Sequence, residues 1–423
     1  MTRLAHPPGA RRPWHSWLLP GLLAVNLGAL GCGQAPLAGP GPRAGNVEAR
    51  GASPGRPGLA VFYGMDDYSG ADTSGELKGI HGMLASVGSS PRADLFLGGD
   101  ASTREDGFRV RVTRGQPWGV GFQPLGELQT NHTPALRDYL AWTGQQRGGQ
   151  PFHLAIATHG GQWGILVDHN GKPADPAASM TLQKASKALG KGYTGRRIPS
   201  LTFDACMMAS IEVGEALKGT VACYTGSEDY AMTGSVPYDE LASALLKEDG
   251  ADGEAFARRV PDAVVHRGRW GDKGSLTWSA IALDQRHDHL VKQVNRLAKA
   301  LRRALPRERA AIAAAVRATE PFALAAKFQA KYGDPHQRDL IQLCQALERR
   351  VQDEHVRESA RAVTAATRAT VIAFARHPSE AMANGLAIFL PQGPEAARLL
   401  PFYRTSPFAR HTEWDEFLAA LAG

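Results

Sequence analysis

Cysteine is scarce in this chain: four residues in 423, at positions 32, 206, 223 and 344, with no Cys-x-x-Cys pair. That excludes a disulfide-stapled scaffold and a paired-cysteine zinc site. The chain also lacks a P-loop, a nucleotide-binding glycine fingerprint and any internal repeat, so nothing in it reads as a phosphate cradle. Long apolar runs are missing after the first 31 residues, and no further segment is expected to cross a membrane. Excess charge is small as well. Lys and Arg number 48 against 41 Asp and Glu, a net +7 that falls to +4 without Arg3, Arg11 and Arg12. So slight a balance gives no reason to expect a nucleic-acid partner. What remains is an ordinary globular composition, 43% hydrophobic and 21% charged, enough for one large domain or two smaller ones.

The amino terminus carries what the rest lacks. Arg3, Arg11 and Arg12 precede the apolar stretch WLLPGLLAVNLGALG, which has the length of a signal peptide rather than of a membrane span. It ends in Ala29-Leu30-Gly31-Cys32, which resembles a bacterial lipobox with alanine where leucine is usual. The resemblance implies removal of residues 1–31, lipidation of Cys32, and a membrane partner through that anchor. The expected location is the cell envelope, at an outer membrane or facing the periplasm, with plain secretion as the alternative. Residues 32–58, rich in Gly, Pro and Ala, cannot build a core and read as a flexible tether.

Beyond the tether, short apolar runs alternate with helical periodicity. LAVFYGMDDY, ADLFLGGD, FHLAIATHG, IPSLTFDA and GTVACYTG read as strands, and FRVRVTR as a half-exposed one. GELKGIHGMLASVG and TPALRDYLAWTGQQ read as helices, the second with Thr133 as its cap and Pro134 in its first turn. The alternation predicts an α/β fold with a mainly parallel sheet flanked by helices on both faces. From about residue 250 the pattern turns helical and basic, as in DHLVKQVNRLAKALRRALPRERAAIAAAVRA, before NGLAIFLP returns to a strand. His287-Asp288-His289 is not read as a metal site, because neighbouring helix positions point in different directions. Cys223 and Cys344 are expected as small core hydrophobes, with a Cys223–Cys344 disulfide as the alternative in an oxidising compartment.

Two strand ends carry reactive groups: His159 follows LAIAT, and Cys206 follows SLTFDA. In an open α/β sheet, function collects at the carboxyl ends of the strands. If the two strands are parallel neighbours, both side chains emerge on one edge, as a thiol nucleophile and its imidazole base require. A free thiol titrates near 8.5, so a nearby imidazole is needed to take its proton. The helix expected to begin at Cys206 would favour the thiolate further. The backbone N–H groups of Gly160 and Cys206 are candidates for an oxyanion hole. Gly160 and Gly161 would let the chain turn sharply and let substrate approach.

These segments resemble a known family. THGGQWG together with DACMMASIEVGEAL is similar to the clostripain-like cysteine peptidases of the caspase-like clan. The 47 residues from His159 to Cys206 are close to the caspase spacing of about 50. LAVFYGMDDYSG, YTGSEDYAMTGSVPYDELASAL, YGDPHQRDLIQLC, NGLAIFLP and SPFARHTEWDEFL extend the resemblance over roughly residues 59–423. It implies a caspase-like sheet and a cysteine endopeptidase working by a His159–Cys206 dyad on protein or peptide substrates, cut after Arg or Lys. A cationic side chain needs an acidic pocket; Asp204 matches the family's acid, and Glu228 and Asp229 are further candidates for the pocket wall. No cofactor or metal is expected. Calcium and internal cleavage after a basic residue enter through the family alone, and Lys218 or Lys247 could be cut. The expected division is 59–248 as catalytic core and 249–423 as a helical C-terminal region returning to the sheet. The alternative function is a catalytically silent envelope lipoprotein using the fold as a binding module; a Cys-dependent amidase or acyl transferase is a third reading.

Overall fold

The structure, a computed structural model, describes residues 55–66, 73–101, 106–161, 164–168, 179–193, 195, 197–232, 234–247, 249–268, 276–392 and 394–423. The expected signal segment, Cys32 and the tether up to residue 54 lie outside the described residues. Fourteen strands occur among them: β1 (Gly58–Asp66), β2 (Asp94–Asp100), β3 (Gly107–Arg111), β4 (Gln123–Gly126), β5 (His153–Thr158), β6 (Gly160–Gly161), β7 (Gly164–Asp168), β8 (Ser179–Thr181), β9 (Leu201–Asp204), β10 (Cys223–Gly226), β11 (Thr277–Ala282), β12 (Gln337–Asp339), β13 (Val371–Arg376) and β14 (Ala387–Phe389). The main sheet runs β13-β11-β10-β9-β5-β1-β2-β3-β4, and β6, β7 and β8 form a small extension on β1. Strands β10, β9, β5, β1 and β2 are mutually parallel, while β11, β13, β3 and β4 add antiparallel pairings at the two flanks.

The central strands are buried on both faces, which is why they read as continuous apolar runs instead of alternating ones. Phe62, Ile156, Phe203 and Tyr224 face one layer of helices, and Val61, Leu97, Ala155 and Trp278 face the other. Helices α1 (Ser74–Val87), α5 (Tyr238–Ala244) and α6 (Gly253–Asp262) cover the second face. The first is covered by α2 (Thr133–Gln146), α3 (Leu182–Gly192), α4 (Ile211–Leu217), α7 (Gln285–Arg317), α9 (Leu340–Arg350), α10 (Glu354–Thr370) and α13 (Trp414–Ala422). Short helices α8 (Ala323–Tyr332), α11 (Pro394–Tyr403) and α12 (Pro407–His411) complete the C-terminal region. Each fully buried Leu or Phe in these layers contributes about 1.5–3 kcal/mol.

Several expectations need adjusting. Helix α2 begins at Thr133, with His132 as its cap residue and no side-chain cap bond. The NGLAIFLP strand, β14, does not return to the main sheet; it pairs with β12 in a separate two-stranded ribbon. Strands β11 and β13, inside the stretch read as helical, join the sheet instead, so residues 249–423 extend the same sheet as residues 59–248. The long basic helix α7 breaks at Glu308 (φ −126°, ψ 23°), whose carboxylate accepts the N–H groups of Gln352 and Asp353 at 2.6 Å each, just ahead of α10. Cys223 and Cys344 are free buried thiols, not a disulfide. The folded body begins before Gly58: Asp94 binds Arg56, Arg111 and the buried Arg147, and pins the incoming chain to the amino edge of the sheet.

Candidate active site

The site is built by the pairing of β5 with β9. These strands are parallel and adjacent, with Ala157 opposite Asp204. Two residues further on each chain stand His159 and Cys206. Their sequence separation therefore equals the register offset of the two strands, and both emerge at the carboxyl edge of the sheet. Thr158 secures the end of β5: its hydroxyl donates to Gly64 O at 2.7 Å and accepts Leu166 N–H at 3.0 Å. His159 is half-buried between β5 and the β6–β7 hairpin.

Gly160 lies against the backbone of Cys206. A Cβ at this position would stand 2.4 Å from Cys206 O, 2.9 Å from the Ala205 Cβ and 3.1 Å from Cys206 N. Glycine is required here by close approach, which also brings the two candidate oxyanion donors into one neighbourhood. Gly161 is different, since a Cβ there meets nothing within 4 Å. The chain reverses just after them in the β6–β7 hairpin, and neither glycine adopts a positive φ.

Cys206 is not the first residue of a helix, as its sequence context suggested. Helix α4 starts at Ile211, capped by the Ser210 hydroxyl accepting from Val213 N–H. The intervening turn runs through Met207 in the left-handed region at φ +59°, an unusual conformation for a side-chain-bearing residue. Met207 N–H donates to Asp229 O at 2.9 Å, and Ala231 N–H donates to Cys206 Sγ at 3.3 Å. Burial pushes the thiol up to about 11, aided by the negative charges of Asp229 and Asp204.

Asp204 lies buried beneath this edge. Its carboxyl accepts Tyr238 O–H at 3.1 Å, and Tyr63 O–H donates to the neighbouring Glu76 at 3.2 Å. Burial and the Glu76 charge raise Asp204 to about 7. Glu76 and Tyr238 were missed in the sequence: the acid sits in an unremarkable first helical turn, and PYDEL carried a resemblance without a role.

The other two expected pocket acids face elsewhere. Glu228 is fully buried and accepts Thr277 O–H at 3.0 Å and Gly385 N–H at 2.9 Å. Burial and the adjoining Asp339 hold it well above the usual carboxylate range. Asp229, 1% exposed, accepts the N–H groups of Leu324 and Ala325 at 2.7 and 3.0 Å. Both carboxyls are buried and engaged within the fold, where the sequence reading expected them in a pocket wall. Of the rejected trio, His287 meets Glu215 at 3.1 Å, Asp288 meets Lys218 at 2.7 Å and His289 meets Gln293 at 3.2 Å, three separate partners. No group of three or more His, Cys, Asp or Glu among the described residues is arranged to hold a metal. No described helix is long and apolar enough to cross a membrane.

The buried acids predict an uncommon pH dependence of stability. Asp204 and Asp229 are raised to about 7 in the fold, against about 3.9 for an unfolded Asp. Between those values the folded state binds more protons, so this contribution to stability is largest near pH 4 and is lost as pH rises towards 7 and above. Thermal unfolding should therefore show a lower Tm at pH 8 than at pH 5. Asp204→Asn should flatten the difference; an unchanged pH slope in that variant would contradict the burial argument.

A mainly parallel sheet with a thiol and an imidazole at its carboxyl edge is the architecture of caspase-like cysteine proteases. The chain belongs to the Clostripain family, whose sequence profile matches residues 133–420. No curated protein matches it. Among solved structures it is similar to an inactive zymogen C11 protease from Parabacteroides distasonis, with 16% identity, a TM-score of 0.57, and coverage of 85% of this chain and 99% of that one. It is also similar to a secreted C11 cysteine protease from Bacteroides thetaiotaomicron in complex with an irreversible peptide inhibitor, with 13% identity, a TM-score of 0.58, and coverage of 86% and 100%. A further structure of a secreted protease from that organism, iotapain, shares 12% identity at a TM-score of 0.52 and covers 88% and 100%. At these identities the likeness shows the fold.

Proposed function

We propose that the protein is a cysteine endopeptidase that cuts after Arg or Lys, with Cys206 as nucleophile and His159 as its base. The observation that supports this most is the β5–β9 register, which pairs Ala157 with Asp204, two residues before His159 and Cys206 respectively. The sulfur attacks the scissile carbonyl carbon as its proton passes to the imidazole. Because the thiol of half-buried Cys206 is pushed up to about 11, that transfer accompanies attack instead of preceding it. The N–H groups of Gly160 and Cys206 receive the oxyanion. Collapse breaks the C–N bond, and the imidazolium returns its proton to the departing amine. Water, deprotonated by His159, then splits the thioester and regenerates the thiol. Residues 1–58 add the proposed context: Cys32 carries the lipid that holds the enzyme in the cell envelope.

Asp204 supplies the preference for a cation. Empty, its carboxyl titrates near 7; a bound guanidinium or ammonium would favour the charged form and expel the proton. An Arg- or Lys-ended acyloxymethyl ketone should label Cys206, as mapped by mass spectrometry. Asp204→Asn should slow labelling by the basic probe about tenfold or more while sparing a neutral one. At pH 6.5, binding of an Arg-ended inhibitor should release protons, read as a buffer-dependent calorimetric enthalpy. Labelling at another residue would refute the nucleophile, and equal losses with basic and neutral probes would refute the pocket acid.

A further inference from the structure

We infer that Asp229 is a positioning residue for the nucleophile: its carboxylate fastens the 229–231 segment, which lies against Cys206, to the amino end of α8. The inference rests on Cys206 being the nucleophile, as proposed above. Three bonds join the segment to the site: Met207 N–H to Asp229 O at 2.9 Å, Ala231 N–H to Cys206 Sγ at 3.3 Å, and Cys206 S–H to Ala231 O at 3.6 Å. What holds the segment is the Asp229 side chain. Its oxygens accept Leu324 N–H at 2.7 Å, Ala325 N–H at 3.0 Å and its own neighbour Tyr230 N–H at 2.7 Å.

Helix α8 has an end that needs such a partner. Its cap residue is Phe322, which offers no side-chain oxygen, and the first N–H groups of a helix lack internal acceptors. The first, on Ala323, donates to Glu380 at 3.1 Å, and the next two go to Asp229. Both carboxyl groups therefore cap α8 from distant parts of the chain. An edge-to-face contact between Tyr230 and Phe328, 6.0 Å between ring centres, adds an apolar fastening one turn further. Helix α8 thus bears on the segment behind Cys206 through the Asp229 carboxyl and the Tyr230–Phe328 contact. This role differs from that of a pocket acid, which would need an oxygen left open for the substrate's cation.

The test uses the full chain and two variants. Asp229→Ala removes the carboxylate. Leu324→Pro deletes one donor and leaves Asp229 intact, at the second helical position that Pro134 already occupies in α2. Both should accelerate amide hydrogen exchange across 228–232. Both should lower kcat for an Arg-ended peptide about ten- to a hundredfold, the scale of a small misplacement of reacting groups, with KM within about twofold. Faster exchange with unchanged kcat would make Asp229 a plain structural cap and overturn the inference. So would a KM that rises for basic peptides only, the mark of a pocket acid, or exchange that does not change. If Cys206→Ala retains activity, the peptidase reading fails by itself, while hydrogen exchange still decides whether Asp229 holds the segment.

Discussion

Cys206→Ala should reduce hydrolysis of Arg-ended fluorogenic peptides to the level of buffer, and His159→Ala should lower kcat by about 10²–10⁴. The two losses have different shapes. Without sulfur no acyl-enzyme forms at any pH. On the proposed mechanism, Cys206 without the imidazole must ionise unaided, and its thiol is pushed up to about 11 by desolvation and by the charges of Asp229 and Asp204. At pH 8 roughly one thiol in a thousand would then be ionised. Residual activity of His159→Ala should accordingly climb with pH to 10 and beyond, while the parent enzyme levels off near neutrality. Cleavage measured from pH 6 to 10.5 distinguishes the two. A parallel pH dependence in both proteins would remove His159 from the mechanism, and turnover by Cys206→Ala would remove the peptidase reading altogether.

Gly160→Ala should be nearly as damaging, although it deletes no functional group. The added methyl would stand 2.4 Å from Cys206 O, a backbone atom that cannot swing aside as a flexible side chain could. Either the β6–β7 hairpin moves away or the Cys206 turn does, and both candidate oxyanion donors belong to that pair. Loss of one such donor costs about 10²–10³ in kcat. Gly161→Ala is the matched control: its Cβ meets nothing within 4 Å, and its φ is not positive. The neighbouring substitutions should thus differ by about a hundredfold in kcat, with Tm reporting how much of the Gly160→Ala loss is unfolding. Similar activities for the two would show that close approach at Gly160 is unrelated to catalysis.

Much of this site was legible along the chain because parallel strands announce themselves. LAIAT and SLTF are apolar runs that stop abruptly, and a run buried on both faces must end where the sheet meets solvent. The 47-residue spacing already contained the strand register, since it equals the offset between Ala157 and Asp204. Flanking strands were harder. LTWSAIAL and TVIAFAR lie between helices, and short apolar runs there do not differ in period from buried helix segments. The helix after Cys206 was placed early because IEVGEAL has helical spacing, while the left-handed Met207 leaves no trace in residue type.

Local order decided by itself which strands end in a histidine and a cysteine, and where glycine follows. Those features depend on neighbours in the chain, through side-chain period and chain stiffness. The surroundings of the acids could only be fixed by folding. Asp204, Glu228 and Asp229 are equivalent as letters, yet one lies beneath the thiol beside Tyr238, one adjoins Asp339, and one caps a helix 95 residues away. A carboxyl's charge state and role follow from desolvation and from which N–H groups reach it, and both are set by contacts between segments far apart in sequence.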